Sequence, residues 1–83
     1  METGLYRHYR GGLYVVTDIG FHTETEEELV SYFDVTDPRK VWFRPKGMFT
    51  DSVINSDGRQ VPRFEFLQRI VFHKRDWSSL LAT

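Results

Sequence analysis

Large apolar and aromatic residues recur in this chain at every second position, in short runs cut by glycine or proline. That rhythm limits the chain more than any other feature. Period-two alternation sends successive side chains to opposite sides of an extended backbone, so each run reads as a strand with one face to bury. After Gly11-Gly12, a turn signal, "LYVVTDIGFH" places Leu13, Val15, Ile19 and Phe21 on one parity. Gly20 within it predicts a bulge or sharp bend. "LVSYFDV" follows, with Val30 and Tyr32 on one face and Leu29, Phe33 and Val35 on the other. "TDPRK" is a turn begun by Asp-Pro. "VWFR" is a short strand stopped by Pro45, which has no N–H to donate.

"PKGMF" then predicts a tight turn in which Met48 and Phe49 plug one end of the core. Asp51 to Asn55 makes another short strand. Asp57-Gly58 predicts a type I′ hairpin, with positive φ at both central residues. "RQVPRFEF" returns from it, and Pro62 marks an edge or a bulge. The acidic stretch "TETEEE", Thr23 to Glu28, admits two readings. Thr25 followed by Glu28 resembles a helix capping box. No helical stripe develops after it, so a hairpin loop is expected, with a basic neighbour such as Arg44 or Arg63 beside it.

About five short strands with Gly and Pro turns imply an all-β fold, a small antiparallel barrel or roll. With 83 residues there is room for one domain and one thin core. The core strands occupy residues 1–66. Residues 67–83 form a C-terminal tail whose pattern fits either strand or helix. In it Asp76 could cap a short helix, and Trp77, Leu80 and Leu81 would pack on the domain or support a homodimer.

The chain has no cysteine. Disulfides, thiolate catalysis and cysteine-held metals are excluded. No apolar run approaches a membrane span, and the N-terminus lacks the apolar stretch of a signal peptide, so a cytoplasmic location is expected. The formal net charge is −1, which offers no global field for nucleic acid. Locally the charges are uneven. Residues 1–37 carry two basic and eight acidic side chains, and residues 38–83 carry nine basic and four acidic. In a small closed fold the two halves interleave and compensate.

Four blocks then stand out in order: "GLYRHYRGGLY", "HTETEEELVSY", "VWFRPKGMF" and "VPRF". Together, from Gly4 to Phe66, they resemble the small bacterial family of unknown function DUF1653. The resemblance implies an SH3-like barrel and no assigned activity. "DVTDPRK" departs from the more glycine-rich turn usual there, and the tail beyond Phe66 lies outside the pattern.

Three constellations could carry function. Arg7, His8 and Arg10 interleave with Tyr6 and Tyr9, a mixture that can grip single-stranded nucleic acid. Alternation splits it, however, with Tyr6 and His8 on one face and Arg7 and Tyr9 on the other. His8, His22 and Glu24 could hold a divalent metal for an enzyme if they converge. The plainer role for His22 is a strand-end histidine hydrogen-bonded to the acidic loop. Trp42, Arg44, Pro45, Phe49 and Arg63 form the third: Trp and Arg dominate binding hot spots, although Trp42 and Phe49 are of the types more often found in a core. No phosphate loop, catalytic triad or dinucleotide fingerprint is present, and no cofactor or catalytic residue is expected. The reading that follows is a binding or adaptor module for a protein segment or other polar partner. Its expected surface is Tyr6, His8, Arg10, His22, Glu24, Trp42, Arg44 and Arg63. Single-stranded nucleic-acid binding and metal-dependent catalysis are the alternatives.

Overall fold

A computed structural model describes residues 1–73. Its strands are β1 (Gly4–His8), β2 (Leu13–Phe21), β3 (Glu28–Asp34), β4 (Val41–Pro45), β5 (Ser52–Ile54), β6 (Gln60–Pro62) and β7 (Phe64–Arg69). A one-turn helix, α1 (Lys46–Phe49), follows β4. Five strands form one antiparallel sheet in the order β4-β3-β2-β1-β7, and β5 and β6 form a separate hairpin. The all-β class is as expected. Among the described residues the pairing leaves the sheet open, with β4 and β7 as its two edges, so closure into an SH3-like barrel does not come from their strand ladder.

The buried core lies on one face of the large sheet: Tyr6, Val16, Val30, Tyr32 and Phe64, capped by Phe49 from α1. Val30 and Tyr32 share this face, as their spacing requires. The parity expected for β2 does not hold along its length. Register shifts between Val16 and Asp18, so Thr17 is an extra residue in a bulge. Tyr14 and Val16 therefore face the core on one side of the bulge, and Ile19 faces it on the other. Val15 is buried on the opposite face, between its cross-strand neighbours Leu5 and Phe33. Phe21 is exposed. The expected irregularity belongs to Thr17 rather than to Gly20. The Thr17 hydroxyl lies 3.1 Å from that of Ser31 across the pair.

Two other expectations are corrected. Phe49 plugs the core alone, since Met48 points to solvent. The β5–β6 hairpin is present, but only Gly58 has positive φ, so its turn is not type I′. Instead Gly58 N–H donates to the Asn55 carbonyl, and the Asn55 side chain accepts N–H bonds from Asp57 and Arg59. This is a turn closed by a single left-handed glycine. β7 continues to Arg69, so the first residues of the tail, whose pattern fits either strand or helix, are strand. The predicted helix at Asp76–Leu81 and the tail-mediated dimer lie outside the described residues.

Candidate functional site

β1 and β7 bring His8 opposite Phe64 at one end of the inner face. The His8 ring packs 4.9 Å from that of Phe64 and 4.8 Å from that of Tyr9. Its Nδ1 accepts the Arg10 backbone N–H at 3.2 Å, which leaves Nε2 to carry the proton of the neutral ring. Burial holds its pKa below the usual histidine range. The guanidinium groups of Arg63, Arg10 and Arg44 push in the same direction. Three arginines drawn from separate stretches of chain thus lie within electrostatic reach of this imidazole and disfavour its protonation.

Each arginine is positioned differently. Arg63 sits between β6 and β7, and forks onto Asp51 through Nε–Oδ1 at 2.7 Å and Nη2–Oδ2 at 3.1 Å. Its backbone also bonds the carbonyl of Asp51, and its own carbonyl takes the N–H of Tyr9. Arg44 projects from β4 on the Tyr32 side and donates Nε to the Tyr32 hydroxyl at 3.4 Å. Arg10 lies over the Tyr9 ring at 5.3 Å. Trp42, the cross-strand neighbour of Tyr32, stands 45% exposed with the Lys40 ammonium 4.4 Å from its ring centre. Tyr14, Tyr32, Asp34, Trp42 and Arg44 line one shallow groove. Asp34 is occupied at its rim, accepting both the N–H and the hydroxyl of Thr36.

The structure places His8, Arg10 and Arg63 at one end of the inner face, and Trp42 and Arg44 along β4 in the groove with Tyr14 and Tyr32. It does not gather the rest of the expected surface. Tyr6 is a core residue, 5% exposed, with its hydroxyl spent on the Glu2 carbonyl. Its pKa is raised, chiefly by burial. His22 and Glu24 belong to the loop at the far end of β2, separated from His8 by most of that strand. The gap is on the order of 25 Å at ~3.3 Å per residue. His8, His22 and Glu24 do not converge, and no group of metal-ligating side chains occurs among the described residues. His22 has the plainer role: its Nδ1 accepts N–H bonds from Glu24 and Thr25, which folds the acidic loop. The basic neighbour of that loop is Lys46, paired with Glu28 at 3.3 Å, rather than Arg44 or Arg63.

Tyr14, Lys40 and Asp51 were missed in the sequence reading. Tyr14 becomes visible once β1 and β2 are paired, because Tyr6 and Tyr14 then stand side by side on the inner face. Asp51 carries no local signal; only the fold sets it against Arg63.

Comparison with known proteins bears on the family and the fold. The family model described as a protein of unknown function, DUF1653, matches residues 4–66. The chain belongs to the DUF1653 family. The crystal structure of a DUF1653 protein from Bordetella bronchiseptica superposes with a TM-score of 0.74 at 25% sequence identity, covering 88% of this chain and 95% of that one. No curated protein matches the chain. The DUF1653 match takes in every strand of the large sheet and ends within β7. It therefore spans both the core and the arginine cluster. Among the described residues of this DUF1653 domain, no helix is long and apolar enough to cross a membrane.

Proposed function

We propose that this chain is a small binding module that docks an acidic protein segment in the cationic, ring-lined groove beside β4. The observation carrying this reading is that Arg44 and a half-exposed Trp42 line one groove with Tyr14 and Tyr32, with the Lys40 ammonium over the tryptophan ring. Arginine forks suit carboxylates, and an exposed tryptophan supplies apolar area at low entropic cost. Arg63 is partly satisfied by Asp51, so it acts as a brace. Arg44 has no carboxylate within ion-pair distance among the described residues and is the free cation of the groove.

The test is calorimetric titration of the full chain with short Glu-rich peptides and their Lys-for-Glu counterparts. Binding is expected for the acidic set alone. Arg44→Ala and Trp42→Ala should each weaken it about tenfold, roughly 1.4 kcal/mol. A single-stranded oligonucleotide that binds more tightly than any peptide, with affinity falling steeply in salt, would move the reading to nucleic acid.

A further inference from the structure

β4 is an edge strand. Among the described residues it pairs with β3 alone, so alternate backbone groups along its other side have no strand partner. Natural edges are blunted by lysine, proline or charge. Here Lys40 and Pro45 stand only at the ends. Between them Val41, Trp42 and Phe43 are all exposed, Phe43 by 68%. Val41–Arg44 is therefore a short window bracketed by residues that resist longer pairing.

The two sides of that window differ in chemistry. Trp42 and Arg44 fall on the inner side, in the groove with Tyr14 and Tyr32, with the Lys40 ammonium over the tryptophan. This side is aromatic and cationic. Phe43 falls on the outer side, beside a second groove that Leu29 and Phe21 also line, together with Gly20, Ser31 and the carboxylate of Asp18. Nothing stands within 4 Å of the place a Gly20 Cβ would take. This side presents the apolar surface of Phe43, Leu29 and Phe21, with Asp18 and Ser31 as its polar members.

A strand laid beside β4 sends its own side chains alternately to the same two sides. We propose that the acidic segment binds by strand addition to Val41–Arg44. Its carboxylates occupy every second position, facing Trp42 and Arg44, and its apolar side chains lie between them, facing Phe43. Backbone hydrogen bonds then supply affinity, and the alternation supplies selectivity. This inference rests on the acidic-segment reading above and adds the conformation and spacing of the partner.

The experiment uses isotope-labelled full chain and three kinds of short peptide. One alternates Glu with Val. One has the same composition with its Glu residues in a single block. The third is the alternating peptide N-methylated at every second residue, made in both registers. The alternating peptide should bind about tenfold more tightly than the block peptide. It should slow amide exchange within Val41–Arg44, and one N-methyl register should lose binding while the other keeps it. Equal binding of alternating and block peptides, with both N-methyl registers tolerated, would leave the acidic-segment reading standing and remove strand addition. Failure of every acidic peptide would remove both. Outward-facing amides of the window, those not bonded to β3, already slow in the free chain would also overturn the proposal. Concentration-independent slowing would assign the edge to residues 74–83 of the same chain, and concentration-dependent slowing to a second copy.

Discussion

The ring of Phe49 lies flat on the ring of Phe64, with centroids 4.0 Å apart and planes 2° from parallel. Phe49 also meets Tyr6 and Tyr32 edge-on. It is the only buried residue of α1. One turn of helix therefore exists, in energetic terms, to deliver one ring to the centre of the sheet.

Phe49→Ala is expected to cost about 3–5 kcal/mol, because a fully buried ring is lost and its cavity cannot collapse across three aromatic neighbours. A small domain has little more stability than that, so Phe49→Leu is the graded companion and should retain a cooperative urea transition at lower midpoint. Met48→Ala, one residue earlier and in solvent, should stay within about 0.5 kcal/mol of the parent.

Gly4 opens β1 at φ 145°, and a Cβ there would lie 2.1 Å from the Gln68 carbonyl oxygen of β7. That atom is backbone, so the strands themselves would have to part. Gly4→Ala should destabilise by well over ~1 kcal/mol and raise amide exchange along β7. Gly20→Ala meets open space without positive φ and is expected to be neutral or to gain up to about 1 kcal/mol.

The Arg63 fork holds the Asp51 carboxyl below its ordinary value of 3.8. Between the two values the unfolded chain binds a proton that the folded chain does not. Stability is therefore full above about pH 4 and falls as pH drops through the folded pKa. Asp51→Asn should remove that step from a plot of urea midpoint against pH, and Asp34, held low by Thr36, should keep its share of the decline.

His8 titrates below 6.5, with burial as the larger cause and the arginines adding to it. The unfolded chain gains its histidine proton first, so acidification from about pH 6.5 through the folded pKa lowers stability, while higher pH leaves it unchanged. Arg63→Gln should move the His8 midpoint upward in an imidazole NMR titration without restoring it to 6.5. An acidic peptide bound at Arg44 should also raise it, because its carboxylates favour the imidazolium. A bound peptide that leaves the midpoint unmoved would place its carboxylates elsewhere.

Alternation alone paired Val30 with Tyr32 and separated Arg7 from His8, and both follow because side chains on one strand cannot change faces without a break in its ladder. The loop at Thr23–Glu27, the stop at Pro45 and the hairpin around Gly58 were likewise legible, since turn chemistry is written in adjacent residues. The four sequence blocks pointed to DUF1653 for the same reason: they are local. Burial was not local. The extra residue at Thr17 reversed the parity of β2, and nothing in "VVTDIG" marks it, because a bulge is fixed by the register of the partner strand. The arginine cluster was equally hidden. Arg63 and Arg44 come within electrostatic reach of His8 only through the fold, Arg63 because it precedes the Phe64 that stands opposite His8, and Arg44 because it reaches the Tyr32 hydroxyl on the inner face. Trp42 has the pattern of a core residue and stays half in water because β4 is the last strand of that sheet. A sequence states which side chains share a face. What covers that face, and which distant charges reach it, is set by strand order and register, which are properties of the whole fold.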